Sequence, residues 1–178
     1  MTQLLMPKPD QEVLGKRDIY VKELTKILKD KDRVLSHLDE IRPYETDALT
    51  AYREMPMVVV LPETVEEVSK ILRFCNENKI KVVPRGAGTG LSGGSLPLKD
   101  AVLISMSKFN KILEIDYYNR CVTAQPCVTN LAITHAVQEK NFYYAPDPSS
   151  QIACSIGGNV AENSGGVHSL KYGATTNN

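Results

Sequence analysis

The segment from Arg85 to Gly94 carries the first pattern in this 178-residue chain that has a chemical meaning. Within it, Gly88-Thr89-Gly90-Leu91-Ser92-Gly93 has the spacing GxGxxG, which in doubly wound dinucleotide folds sets a diphosphate on a helix N-terminus. That context fails here, because Gly94 and Pro97 stand where the helix should open and no acid follows about twenty residues later at a strand end. A phosphate loop is excluded too, since no Gly-Lys-Ser/Thr follows.

The glycines of this segment nevertheless predict a ligand site. Glycine accepts positive φ and lets consecutive backbone N–H groups approach an anion, so the segment suits a diphosphate. A plain flexible turn is the weaker interpretation, because five glycines between Gly86 and Gly94 exceed what a turn requires. Arg85 at the mouth would add positive charge, although a surface Arg paired with a carboxylate is an equally good interpretation of that residue.

A second small-residue segment, Ser155 to Gly166, invites the same argument. Ser155 is a candidate N-cap, and Gly157-Gly158 would let backbone amides come close to a ligand. Two such segments in one chain predict the opposite walls of a groove for one long ligand with phosphates in its middle. A flavin dinucleotide fits that description.

The elements that must position the first segment form a strand, helix, strand pattern. Strands are predicted at Met57–Leu61, Lys81–Pro84 and Ala101–Met106, and a Thr64/Glu67 capping box begins a helix with Val68, Ile71, Leu72 and Cys75 on its apolar side. A helical crossover of this size predicts parallel neighbouring strands.

The flanking regions show weaker patterns. Lys16–Lys29 predicts an amphipathic helix that includes Ile19, and residues 39–53 read as an irregular lead-in. Lys111–Asp116 and Cys121–Gln125 predict a hairpin, and Thr129–Lys140 a helix.

Composition excludes several classes of function. The chain has 21 Lys+Arg and 21 Asp+Glu, so its net charge of zero offers nothing to hold nucleic acid. Its apolar runs are too short to span a bilayer and its N-terminus lacks a signal core, which predicts a cytoplasmic protein. The four cysteines have neither CxxC nor CxH spacing, so no zinc site and no redox pair are predicted.

Other polar and aromatic residues are assigned structural roles. His168 could face a flavin, but a lone His beside a Gly-Gly turn is more often structural, and no histidine is assigned a catalytic role. Tyr143 and Tyr144 could stack on a flavin, but in an apolar segment before the glycine-rich stretch they are expected in the core. Asp147 before proline is interpreted as a turn former and Glu162 as a polar helix residue.

Five stretches of the chain are recognisable together: Pro84–Gly94, Asp147–Ser150, Ser155–Asn163, Val167–Gly173 and Ile41–Asp47. With these motifs the chain resembles the FAD-binding domain of the vanillyl-alcohol oxidase and p-cresol methylhydroxylase (PCMH) superfamily. Within it, the resemblance is strongest to the subgroup of glycolate oxidase D subunits and FAD-linked D-lactate dehydrogenases. The motifs are long and cover most of the chain from residue 41 onward.

The resemblance implies an α+β fold, a two-lobed PCMH-type FAD-binding domain whose second lobe is truncated. Residues 1–52 would form an N-terminal helical segment and lead-in, and residues 53–178 the incomplete FAD-binding domain. The rest of that domain and a cap domain with the substrate and metal-binding side chains would follow residue 178. The chain is therefore expected to be an N-terminal fragment, for which no catalytic or metal-binding residue is assigned.

The implied cofactor is non-covalent FAD. Some relatives attach flavin through a His in the first glycine segment, and Thr89 stands at that aligned position here. The implied cofactor-binding residues come from both glycine segments and the turn before the second: Arg85, Gly86, Ala87, Gly88, Thr89, Gly90, Gly93, Gly94, Pro148, Ser149, Ser155, Gly157, Gly158 and Asn159.

The implied activity is that of a flavoprotein dehydrogenase or oxidase that takes a hydride from a D-2-hydroxy acid, glycolate or D-lactate, to give the 2-oxo acid. The fragment alone is expected to be inactive. Partner subunits of a glycolate oxidase complex and peripheral association with the inner membrane are implied as well. The alternative from another class is a non-catalytic FAD-binding or subunit-assembly module.

Overall fold

The computed structural model describes residues 6–178 and divides into two compact units. The first contains residues 6–85 together with Leu91–Ser105, and the second contains Gly86–Gly90 and Met106–Asn178. Each unit has its own sheet. The predicted two-lobed α+β architecture is thus confirmed.

The first unit is built on a four-stranded sheet with strand order β1-β2-β4-β3. Along the chain its elements are α1 (Gln11–Gly15), α2 (Arg17–Leu28), β1 (Val34–Leu35), α3 (Leu38–Ile41), β2 (Val58–Val60), α4 (Val65–Glu77), β3 (Lys81–Arg85) and β4 (Ala101–Ser105). Strands β2 and β3 both pair parallel with β4, as the strand, helix, strand pattern predicted. Strand β1 pairs antiparallel with β2, so residues before position 52 contribute to this sheet. The domain boundary between residues 52 and 53 stays a prediction.

Burial explains why these segments become strands and helices. All residues of β2 and β4 are buried, which suits β-branched runs covered on both faces. The Thr64 hydroxyl accepts a hydrogen bond from the Glu67 amide (3.1 Å) and so begins α4 where predicted. Two apolar assignments were wrong: Ile19 on α2 and Leu72 on α4 are 59% and 46% exposed, because both helices are buried along narrower stripes than the sequence suggested.

The second unit contains the antiparallel pair β5 (Ile112–Asp116) and β6 (Cys121–Ala124) and the helices α5 (Asn130–Val137), α6 (Ile156–Glu162) and α7 (Ser169–Tyr172). The predicted hairpin and the predicted helix near residue 130 are confirmed. The Thr129 hydroxyl caps α5 by accepting from the Ala132 amide. The second glycine segment is helical at its start, since Gly157 and Gly158 lie inside α6.

Candidate cofactor site

The first glycine segment leaves the sheet at the end of β3 and forms no regular element before β4. No helix opens after Gly93, which agrees with the rejection of the doubly wound dinucleotide fold. Two of its glycines have positive φ, Gly88 at 71° and Gly93 at 78°. A side chain at either position would strain the backbone, so these two glycines fix the path of the segment.

The second glycine segment is held by an N-cap. The Ser155 hydroxyl accepts a hydrogen bond from the Gly158 amide (3.2 Å), and the Ser155 side chain is buried. The Ile156 and Gly157 amides donate to the carbonyls of Val128 and Pro126, both at 2.8 Å. The first three amides of α6 therefore all have hydrogen-bond partners within the second unit, and these bonds fix the start of the helix.

Within the second unit the two glycine segments touch directly. A Cβ placed on Gly86 would overlap the Ser155 hydroxyl, and one on Gly90 would lie 3.3 Å from a Glu162 carboxylate oxygen. Gly157 is equally confined, because a Cβ there would lie 2.8 Å from the Pro126 ring. The structure therefore brings Gly86 against Ser155 at the start of α6 and Gly90 close to Glu162 at its end, and glycine is required at Gly86 for close packing.

The predicted residues Pro148 and Ser149 lie in a turn that leads into α6. The Pro148 carbonyl accepts from the Gln151 amide (2.8 Å), and Ser149 is exposed. The turn is also tied to the segment after α6, because His168 donates its backbone amide to one Asp147 oxygen and its Nδ1 lies 2.6 Å from the other. This hydrogen bond from His168 holds the pKa of the Asp147 carboxyl below its usual value.

Asn159 is a predicted cofactor residue with an unsatisfied hydrogen-bond donor. It is 1% exposed, and its amide nitrogen Nδ2 is buried with no hydrogen-bond partner. A buried donor without a partner costs free energy, so its retention suggests an acceptor supplied from outside the protein. The orphaned Asn159 amide fits a cofactor with hydrogen-bond acceptors, such as FAD, beside α6.

Arg85 lies in the first unit, at the C-terminal end of β3, and its side chain is half-buried. Its Nη1 donates to the Thr46 carbonyl at 2.7 Å, and its guanidinium carbon lies 5.6 Å from the centre of the Tyr44 ring. Burial lowers the pKa of Arg85, an effect opposed by the nearby charge of Asp47. The surface ion pair considered from the sequence is thus not what this residue forms.

Several features of both units were not found from the sequence. The buried carboxylate of Asp47 has one unpartnered oxygen, Oδ2, and the buried Asn130 amide has an unpartnered Oδ1. Tyr143, expected in the core, is 53% exposed and meets Tyr172 edge to face at 6.0 Å between ring centres, because α7 rather than the core supplies its partner. Of these three features, only the one at Asp47 had a signal in the sequence, because Asp47 belongs to the recognisable stretch Ile41–Asp47.

A cavity of about 530 Å³ opens in the second unit beside the hairpin. Ile156 and Val160 of α6 reach it, together with aromatic side chains that include Phe142 and Tyr144. Among residues 6–178, no three His, Cys, Asp or Glu side chains are grouped so that they could hold a metal ion. No helix in the same range is long and apolar enough to cross a membrane.

The comparison with protein families decides the class. The model of the FAD-binding domain family matches residues 56–178. The chain belongs to the FAD-binding domain family. Membership of this family confirms the predicted cofactor class.

Curated relatives give the subgroup. The glycolate oxidase subunit GlcD of Escherichia coli (strain K12) is 60% identical over 140 residues, which cover 79% of this chain and 28% of that protein. GlcD of Bacillus subtilis (strain 168) is 45% identical over 132 residues, 74% of this chain and 28% of that protein. The D-lactate dehydrogenase of Anaerostipes hadrus is 40% identical over 139 residues, 77% of this chain and 29% of that protein. The chain spans less than a third of the length of these relatives.

Solved structures agree on the fold. An alkyldihydroxyacetonephosphate synthase matches with a TM-score of 0.76 at 22% identity, over 97% of this chain and 32% of that one. A p-cresol methylhydroxylase with substrate bound matches with a TM-score of 0.73 at 24% identity, over 91% of this chain and 32% of that one. The predicted PCMH-type fold of the family is therefore confirmed.

Proposed function

We propose that this chain binds one FAD non-covalently, as the FAD-binding part of an enzyme that oxidises a D-2-hydroxy acid, glycolate or D-lactate, to the 2-oxo acid. The observation that carries the proposal is the buried, unpartnered Asn159 amide on a helix packed against Gly86–Gly90. The names of the relatives, glycolate oxidase subunit and D-lactate dehydrogenase, supply the substrate class.

The cofactor-binding residues we propose come from both glycine segments. The loop backbone, shaped by Gly88 and Gly93, offers N–H groups to the diphosphate. The Asn159 amide donates to a polar atom of the cofactor. The full set proposed to line the cofactor is Gly86, Ala87, Gly88, Thr89, Gly90, Gly93, Gly94, Pro148, Ser149, Ser155, Gly157, Gly158 and Asn159.

When bound, the flavin supplies the hydride acceptor. The residues of this chain bind and orient the cofactor. Thr89 forms no covalent bond to the flavin, because a threonine hydroxyl is a poor nucleophile toward flavin compared with an imidazole. We further propose association with partner subunits, since two of these relatives are named as subunits, and peripheral attachment to the inner membrane.

Binding is tested by titrating the 178-residue chain with FAD and following flavin fluorescence. We expect saturation at one FAD per chain, weaker binding of riboflavin, which lacks the diphosphate, and complete release of flavin on acid precipitation. Flavin that stays with the precipitated protein would contradict non-covalent binding, and equal affinity for riboflavin would contradict a diphosphate site in the glycine segment.

Anaerobic glycolate and D-lactate test the catalytic share of the chain. We expect neither acid to bleach the visible flavin band of the loaded chain, since the chain covers only 28% of the E. coli relative and the substrate side chains are expected in the remainder. Bleaching would show that residues 1–178 already contain the catalytic groups.

A further inference from the structure

Arg85 was expected to face the diphosphate, but its contacts run to other parts of the first unit. It is the last residue of β3, and its backbone is fixed by pairing with Ser105 of β4. From this rigid position its Nη1 donates to the Thr46 carbonyl at 2.7 Å and lies 3.5 Å from the Ser95 carbonyl. Arg85 begins the glycine loop and Ser95 follows its last glycine, so one side chain touches both ends of the loop.

The segment that receives Arg85 also reaches the loop by a second route. Asp47 follows Thr46, and its Oδ1 accepts from the Leu49 amide at 3.0 Å. The Leu49 side chain then lies 3.9 Å from the place a Cβ on Gly93 would occupy. Because Gly93 holds a positive φ of 78°, this contact covers one of the two positions that define the loop's path.

Asp47 places a buried acidic group near the Arg85 guanidinium. It is 4% exposed, and its Oδ2 has no hydrogen-bond partner. A buried carboxylate without compensation is costly, and the nearby positive charge of Arg85 is the compensation on this side of the unit. Because Thr46, which receives Arg85, directly precedes Asp47, the two charges lie in one cluster of the first unit.

We propose that Arg85 is a positioning residue for the cofactor loop: its guanidinium anchors the start of the loop to the Thr46 carbonyl and contacts Ser95 just after the last glycine, with Asp47 as its buried counter-charge. This inference rests on the proposed binding of FAD to that loop. It assigns to Asp47, which no sequence pattern singled out by itself, a part in cofactor affinity. It also removes Arg85 from the residues that contact the diphosphate.

The test is a double-mutant cycle in the 178-residue chain with Arg85→Lys, Asp47→Asn and both together. Lysine keeps the charge but lacks the planar fork, and asparagine keeps the shape but lacks the charge. Two exposed residues of the same unit give matched controls, Arg53→Lys and Asp39→Asn. The readouts are amide exchange of residues 86–94 without ligand and the Kd for FAD.

Each single change is expected to speed exchange of the loop amides and to weaken FAD binding about tenfold, the equivalent of one charge-assisted hydrogen bond. The Kd of the double variant for FAD is expected to be no higher than that of the single variant that binds FAD less tightly, because both changes break one cluster. The controls should match the unchanged chain in both readouts.

Two results would overturn the proposal. Weaker FAD binding by Arg85→Lys with unchanged loop exchange would make Arg85 a direct ligand, and additive losses in the double variant would separate Asp47 from Arg85. If the unchanged chain bound no FAD, the proposed function would fail, while the exchange of residues 86–94 would still decide whether Arg85 holds the loop. Circular dichroism of each variant identifies any that fail to fold, and either single variant that folds decides the exchange readout.

Discussion

The Ser155 hydroxyl occupies the space in which a Cβ on Gly86 would lie. The same hydroxyl caps α6 by accepting a hydrogen bond from the Gly158 amide. One oxygen atom therefore both packs against Gly86 and caps α6. A change at Gly86 therefore disturbs two parts of the proposed cofactor site at once.

Gly86→Ala is expected to destabilise the chain by about 2 kcal/mol, the usual effect of inserting a methyl group into a packed contact. Flavin binding should fall with it, because Ser155 must move and lose its cap. Urea unfolding and FAD titration measure the two effects. Gly15→Ala is the control, since a Cβ at Gly15 meets nothing within 4 Å, and an equal loss in both variants would contradict the contact.

Gly88→Val is expected to abolish flavin binding while the chain stays folded, because valine at a φ of 71° forces the loop onto another path. Gly158→Val should also remove binding, but by a different route. Its φ is not positive, and its Cβ would meet the Ser155 hydroxyl at 3.1 Å, so the α6 cap is lost. Gel filtration followed by flavin absorbance measures retention, and stoichiometric flavin in both variants would show that these glycines are ordinary turn and helix residues.

Asn159→Leu is expected to weaken FAD binding about tenfold without lowering the thermal midpoint of the ligand-free chain, since the Asn159 Nδ2 has no partner to lose. Asn130→Leu is the matched control, because the Asn130 amide donates to the Pro146 carbonyl at 2.9 Å in an equally buried place. That variant should lose stability. A lower midpoint for Asn159→Leu, with unchanged affinity for FAD, would give Asn159 a purely structural role.

Glu67→Gln is expected to lower stability by about 2 kcal/mol at neutral pH, because the Glu67 carboxylate receives two hydrogen bonds from Arg33 at 2.8 and 2.9 Å. These bonds lower the pKa of Glu67 below its ordinary 4.5. The carboxylate's contribution is therefore complete above pH 4.5 and lost as the pH falls through the lowered value. Denaturant unfolding at neutral pH and in that acidic window measures it. Exposed Glu66→Gln should show no such pH dependence, and a gap between Glu67→Gln and the unchanged chain that persists in acid would contradict the assignment.

Much of the fold and part of the site could be predicted because the signals are local. The caps at Thr64 and Ser155 need only an amide three residues away, β2 is apolar along its whole length, and β4 is apolar as far as Ile104. The glycine segments likewise indicate a backbone that closely approaches a ligand or neighbouring protein atoms. These are properties of short stretches of chain.

The sequence by itself determined the strand, helix, strand pattern, the hairpin, the helix starts and, through its motifs, the FAD-binding family. Only the tertiary structure decided that Gly86 serves a packing contact, that the Asn159 amide is left without a partner, and that Arg85 turns toward Thr46. Each of these depends on atoms that are distant in the chain and meet only after folding. Whether a hydrogen-bond donor lacks a partner, or a Cβ position is occupied, depends on these long-range contacts. Residue types and their spacing do not specify such contacts.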